Sequence, residues 1–540
     1  MGNTSQLTFE KIFETLKKRI WWILIVAVIF GCGTAVYGAL FIQDSYTCKL
    51  VYRIGVPSEM TSGEINQLDY QVKTSIQTLQ TRRVMAKVVA EAKIVTSNGT
   101  PAVQEMTSAT KFVGDETTGS FSISVSSTNP EVAHKMVLVD GEKITAIVED
   151  TAPCEGYEKV DLKGGYLMPG LINLHVHLAG NGKPSAKPRD NAALVRRILS
   201  NGLTRAVAYR LVCSYAKLEL LGGVTTIRTV GGLADFDTRC RDDAAKGKIL
   251  APRILAANEG ISVPGGHMAG SVAVAAHNNA EALAQLRRAG EQGVDLVKLM
   301  ITGGVLDAKE KGVPGELKMP PEMVKAVCEQ AHRDGYTVAA HVESPEGVKV
   351  ALRNGVDSIE HGAKPDAEMI DLFRQHGAFL CTTISPALPY ALFDRSVTHA
   401  SEIEQYNGNV AFEGIIACAK AALEHGIPVV LGNDVGCPWI TQYNFWCELF
   451  YFHKYVGASN AFALHTATGR AAELAGLGAV TGTVAAGKCA DLIVTKGNPL
   501  DDLRALRNVD MVMARGRLTR EPKFKVNRTV AAELDRWLED

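Results

Sequence analysis

From Ala206 onward the sequence repeats one unit: a helical stretch, a glycine, then an apolar run of five to eight residues. The joints are GGVTTIRTV at Gly222, GVDLVKLM at Gly293, GYTVAAHV at Gly335, GVDSIEHG at Gly355, GAFLCTTI at Gly377 and GIPVVLGNDV at Gly426. Glycine just past a helix end takes the left-handed conformation that turns the chain back into a strand. Helix starts agree, since Ser344-Pro345-Glu346 supplies a cap, a proline in the first turn and an acid beside the helix dipole. Strands that alternate with helices and are apolar on both faces form a parallel sheet. With the run ending at His177 and another at Arg253 to Ala257 the count is eight, the number that closes a ring. The expected fold class is α/β, a (β/α)8 TIM-like barrel.

In such a barrel, functional side chains project from the C-terminal ends of the strands. Strand one ends in His175 and His177, strand four carries Lys298, strand five ends at His341, strand six at His361 and strand eight at Asp434. Imidazoles and a carboxylate are the ligand types that zinc and related divalent ions prefer. Lys298 lies in an apolar strand, where a bare ammonium is costly. Each residue alone has a plainer role as a polar strand end; their joint placement at one mouth points to a metal centre. His267, in the glycine-rich GGHMAG after strand three, is a candidate contact for a substrate carbonyl or carboxylate. Arg228, at the end of strand two, offers a planar two-donor fork for a substrate carboxylate, with a structural ion pair as the alternative. His332, His376 and His425 fall near helix ends and read as surface groups or caps.

The flanks differ in texture. MVLVDGEKITAIV and YEKVDLKGGYL before the barrel, with ADLIVTKG and VDMVMARGRLT after it, are short strands with glycine turns, expected to form one small β-sandwich built from both flanks. Ile20 to Gln43 is 24 residues without a charge, preceded by Lys17, Lys18 and Arg19. It is expected to cross a membrane with its N-terminus cytoplasmic. Asp44 to about residue 135 is polar, with a helical stretch from Glu64 to Lys93 and strand-like SFSISVS, a small α+β segment without a metal or nucleophile cluster. The balance of 57 basic and 58 acidic residues gives no reason to expect nucleic acid as a partner. Eleven scattered cysteines without a C-x-x-C pair fit reduced thiols and a cytosolic origin, in conflict with export behind a membrane helix.

The motifs PGLINLHVH, GVDLVKLMITGG, VAAHVES, SIEHG and VVLGNDVG, followed by LHTATGRAAELAG and GTVAAGKCADLIVTKGNPLDDL, resemble the amidohydrolase superfamily, in particular its two-metal branch. The resemblance spans roughly Met136 to Thr519. It implies that His175 and His177 bind a first divalent ion, zinc being the expected one, that His341 and His361 bind a second, and that Lys298, carbamylated by CO2, bridges both. It also implies that Asp434 completes the first site and acts as general base. A metal-bridging hydroxide would then cleave the C–N bond of a small amide. The texture looks most like Xaa-Pro dipeptidases and imidazolonepropionase-related hydrolases, so an N-acyl amino acid or dipeptide is the expected substrate. Asn173 departs from the P-G-x-I-D-x-H-x-H pattern, where relatives often have Asp.

The opening LTFEKIFETLKKRIWWILIVAVIF and the motif SVSSTNPEVAHK resemble the N-terminal part of polysaccharide chain-length determinant proteins. The expected organisation is therefore a cytoplasmic N-terminus (1–19), a transmembrane helix (20–43), a chain-length-determinant-like segment (44–135), a sandwich (136–168 and 478–520), the barrel (169–477) and a tail (521–540). Two truncated parts meet near Lys135, which reads as a join of two unrelated genes; the sandwich strand that relatives carry 15 to 20 residues earlier is expected to be missing. The join would tether the hydrolase to the plasma membrane, whereas the hydrolase domain alone would be cytoplasmic. A homo-oligomer is left open. The competing readings are a polysaccharide chain-length regulator with an inert barrel, and a one-metal deaminase, against which Lys298 speaks.

Overall fold

The computed structural model describes residues 120–125 and 135–539, except 151, 153, 155 and 185–189. The expected membrane helix at 20–43 and most of the segment 44–135 lie outside the described residues. Among the described residues no helix is long and apolar enough to cross a membrane.

Two four-stranded sheets flank the barrel. The first contains β1 (Ser120–Val125), β2 (Lys135–Asp140), β3 (Lys143–Glu149) and β4 (Tyr157–Asp161) in the order β3-β2-β1-β4. The second brings β5 (Tyr166–Pro169) together with three strands from the far end of the chain, introduced below. The expectation of a missing sandwich strand is corrected here. β1 pairs antiparallel with β2, Ser120 opposite Asp140 through Val125 opposite Lys135, and parallel with β4. Residues upstream of the apparent join thus fill the gap, because any extended segment with free N–H and C=O groups can complete an open ladder.

The ring begins with β6 (Leu171–Val176) and continues through β7 (Val224–Thr229), β8 (Arg253–Ala256), β9 (Gly260–Ser262), a short outer strand β10 (Ala273–Ala275), β11 (Leu296–Met300), β12 (Thr337–Val342), β13 (Ser358–His361), β14 (Phe379–Thr382) and β15 (Val429–Leu431). All pairings among them are parallel. Two contacts join the three-stranded β6-β7-β8 sheet to the rest. The Asp295 N–H donates to Ala256 O at 2.8 Å, and a parallel bridge links Val176 to Val435 just past β15. Counting β8 and β9 as one interrupted strand, eight strands close the ring.

β6, β7, β11 and β13 are buried along their whole length, which is why LINLHV and LVKLM read as near-continuous apolar runs rather than alternating ones, while VTTIRT and SIEH bury polar side chains as well. The helix-to-strand glycines behave as expected, with Gly293, Gly335, Gly355, Gly377 and Gly426 all at φ between 67° and 90°. The joint read at Gly222 instead uses Gly223 for the left-handed residue, at φ 92°. Ser344 caps the helix Pro345–Arg353 through Gly347 N–H.

After the barrel, β16 (Leu492–Thr495), β17 (Val509–Ala514) and β18 (Arg517–Arg520) complete the second sheet in the order β18-β17-β16-β5. Val137, Val139, Ile144 and Val160 from the first sheet pack with Leu492, Val494 and Met513 from the second in one apolar cluster. The sandwich built from both flanks is therefore present.

Candidate metal centre

Side chains two residues apart on a strand share a face, so His175 and His177 both enter the mouth of the ring from the end of β6. His361 ends β13, His341 lies one residue before the end of β12, and Lys298 occupies the middle of β11. Asp434 lies three residues past β15. The structure brings them together. The His175 and His361 ring centroids are 4.8 Å apart, His341 and His361 4.7 Å, and His175 and His177 5.3 Å. Asp434 Oδ1 lies 3.4 Å from His175 Nε2 and 3.2 Å from His177 Nε2.

Each imidazole has one nitrogen fixed by an acceptor, which leaves the other for the centre. His175 Nδ1 donates to Glu360 Oε2 at 2.6 Å, His177 Nδ1 to Gly231 O at 2.8 Å, His341 Nε2 to Gly303 O at 3.1 Å and His361 Nδ1 to Thr383 Oγ1 at 2.6 Å. Such outer partners fix the tautomer and aim the lone pair. Burial holds His175 and His341 well below the usual imidazole range, and His361 down to about 4. Burial opposes ionisation of Asp434, yet the neighbouring His175, His177 and His361 together hold it well below the usual carboxylate range. The result is that His175, His341 and His361 are neutral near an ionised Asp434, the protonation state in which these groups bind a cation.

Lys298 is buried, and its Nζ has no hydrogen-bond partner among the described residues. Burial, outweighing the attraction of Glu360 and Asp434, brings its amine down to about 8. This unpaired amine acts electrostatically on His175, His341 and His361, and a buried orphan beside metal-type ligands is what a divalent-ion site would resolve. The donor set fits such ions: His175, His361 and Asp434 have donor atoms within 4.8 Å of one another, and so do His341, Glu343 and His361.

The backbone is shaped for this convergence. His361 and Asp434 adopt φ of 66° and 55°, a region non-glycine residues seldom occupy, and such strain concentrates at functional positions. A Cβ at Gly432 would stand 2.3 Å from the His175 Cβ, so glycine is what lets β15 press against β6. Asn173 ties the same two strands, donating to Asn433 Oδ1 at 2.7 Å while its own Oδ1 accepts from His175 N and Asn433 N. Its departure from aspartate leaves the ligands in place.

Arg228 requires a correction. Its Nε donates to Leu174 O at 2.7 Å, Nη1 to Ser358 Oγ at 3.1 Å and Nη2 to Glu360 Oε1 at 2.7 Å, and the guanidinium lies over the Phe379 ring. With its fork committed inside the ring, it is a buried ion pair that steadies Glu360 and, through Glu360, His175; it does not meet a substrate carboxylate. His267 does face the centre. Its ring stacks on His341 at 3.9 Å between centroids, and Asp307 holds its Nδ1. Glu360, Asp307 and Glu343 escaped the sequence reading. Glu343 stands two residues after His341, the same spacing that singled out His175 and His177, and that repeat was the available signal. Burial, with Asp434 and Asp307 nearby, pushes Glu343 up to about 8.

A profile of the amidohydrolase family matches residues 166–519. The chain belongs to the amidohydrolase family. It is accordingly a hydrolase acting on carbon–nitrogen bonds. A solved structure from Bifidobacterium longum, provisionally a prolidase, is similar with a TM-score of 0.67 and 33% identity, covering 77% of this chain and 98% of that one. A Xaa-Pro dipeptidase with methionine bound in its active site is similar with a TM-score of 0.65 and 28% identity, covering 74% of this chain and all of that one. Ochratoxinase from Aspergillus niger is 25% identical over 391 residues, 66% of this chain and 76% of its own length. A second profile, that of chain length determinant proteins, matches residues 5–92, outside the amidohydrolase part.

Proposed function

We propose that this amidohydrolase is a two-metal enzyme that cleaves the amide bond of an N-acyl amino acid or dipeptide. The observation that carries the reading is the ring of four imidazoles, each with one nitrogen fixed and one free, around ionised Asp434 and the unpartnered Lys298 amine. The resemblance to a Xaa-Pro dipeptidase supports the substrate class.

His175, His177 and Asp434 would hold one divalent ion, zinc being the natural choice for this donor set, and His341 and His361 a second, with Lys298 as a carbamate between them. Bound there, the ions would supply an acidified water and polarise the substrate carbonyl. The chain's own groups do the rest. Asp434 Oδ1, ionised and facing His175 and His177, accepts the proton of the attacking water and returns it to the departing nitrogen. His267, with Nδ1 held by Asp307, presents its other nitrogen to the substrate carbonyl or carboxylate. Burial of the whole cluster excludes bulk water and strengthens each of these contacts. The match at residues 5–92 supports a second element of the proposal, that the uncharged stretch at 20–43 anchors this hydrolase to a membrane.

The test is direct. Full-length protein supplied with zinc and bicarbonate is screened against dipeptides and N-acyl amino acids, with zinc measured by plasma mass spectrometry. The expected result is about two equivalents of zinc per chain and hydrolysis of at least one class, both lost on His175→Ala. A wild-type protein that binds no divalent ion would overturn the reading; binding of a single ion together with amine release from a heterocycle would favour a deaminase.

A further inference from the structure

The pattern of this centre, one atom of each imidazole fixed by the protein and the other turned inward, extends to a residue outside the expected ligand set. Glu343 follows His341 by two positions at the end of β12, so both side chains leave the same face of the strand, as His175 and His177 do on β6. One carboxylate oxygen, Oε2, accepts the Val305 N–H at 3.1 Å. Among the described residues no lysine or arginine forms an ion pair with it, although it stands beside Asp434 and Asp307. Its position is held closely: a Cβ at Gly315 would lie 2.3 Å from the Glu343 carbonyl carbon, so the loop that follows β11 presses on its backbone.

The donor atoms of His341, Glu343 and His361 all lie within 4.8 Å of one another. Zinc about 2.0 to 2.2 Å from each of three such donors needs them roughly 3.3 Å apart, a closing that side-chain rotations supply. The charge count points the same way. Two dications carry four positive charges, and Asp434 with a Lys298 carbamate offset two of them, so a further anion in contact with the second ion lowers the cost of burying the pair. We propose that Glu343 is a ligand of the second cation, completing a His341, His361 and Glu343 set that the first ion does not share. The inference rests on the two-metal reading above.

Zinc content and affinity of the full-length protein test it without reference to turnover. Wild type, Glu343→Gln, Glu343→Ala and His341→Ala are loaded, dialysed against a competing chelator and measured by plasma mass spectrometry, with circular dichroism to show that each variant folds. Both Glu343 variants are expected to keep the first ion and to bind the second at least about tenfold more weakly, as His341→Ala does. Cobalt(II) in the second site should show altered visible bands in Glu343→Gln, which loss of a merely structural carboxylate would not produce. Two zinc ions at unchanged affinity with unchanged cobalt bands in Glu343→Gln would overturn the proposal while leaving the two-metal reading intact. The same holds if the variant keeps both ions and only raises KM for dipeptides with a free amine, because Glu343 would then be an ammonium contact. A wild-type protein without a second ion would remove the two-metal reading itself, and this inference with it.

Discussion

Replacing Lys298 with methionine separates stability from function at a single atom. The ammonium has no hydrogen-bond partner among the described residues, and burial lowers its pKa from 10.5 to about 8. At 1.36 kcal/mol per tenfold change in proton affinity, the fall from 10.5 to about 8 costs the metal-free protein roughly 3 kcal/mol at pH 7. The sign follows from proton linkage. The folded pKa of this base is depressed, so the penalty is fully present below pH 8, shrinks as pH rises from about 8 to 10.5, and vanishes above that range. Lys298→Met keeps a similar stem and removes the charge. In chelator and CO2-free buffer it should therefore resist urea better than wild type at pH 7, by up to about 3 kcal/mol, with the difference closing near pH 10.5. With zinc and bicarbonate the order should reverse, because ligand at about 1,000 times its Kd stabilises wild type by about 4.1 kcal/mol, more than the penalty of the bare amine, and the variant lacks the bridge. A variant no more stable than wild type at pH 7 without metal would refute the unpaired-amine argument. Full zinc content in the variant would refute the bridging role.

Glu360→Ala leaves the buried Arg228 guanidinium without its carboxylate and His175 without the acceptor on Nδ1. It should cost about 3 to 5 kcal/mol in urea unfolding and weaken zinc at the first site by roughly 10 to 100-fold, read by chelator competition. Asp237 is buried, and burial, only partly offset by Thr229 and His177, raises it from 3.8 to about 6. Its contribution to stability is present below pH 4 and lost as pH rises through 6, a change of up to about 3 kcal/mol. The unfolding free energy of Asp237→Asn relative to wild type should rise by that amount between pH 4 and pH 7; a constant difference would show that the group does not titrate in this window.

Much of the centre was legible because each ligand marks the end of a local pattern. Buried parallel strands are rich in apolar residues, so a histidine or aspartate where the run stops, or a lysine inside it, stands out without any knowledge of the fold. His175, His177, His341, His361 and Asp434 stand at or just past such ends and Lys298 is a lone cation inside a run; the closed ring brings the four histidines and Asp434 into one cluster. Glu343 carries the same two-residue spacing, but a glutamate after a strand is ordinary on a surface, so the spacing alone does not single it out.

By itself the sequence determined what depends on neighbours in the chain: the alternation of helix and strand, the left-handed glycines at the joints, and the faces on which strand-end side chains lie. Tertiary structure alone decided matters that span long separations. Arg228 turns inward because its carboxylate, Glu360, lies 132 positions away across the ring. Ser120–Val125 completes a sheet whose other strands follow the apparent join, because hydrogen-bond ladders depend on extended geometry and not on which segment supplies it. Periodicity shows which way a side chain points; only closure of the ring decides what it meets there.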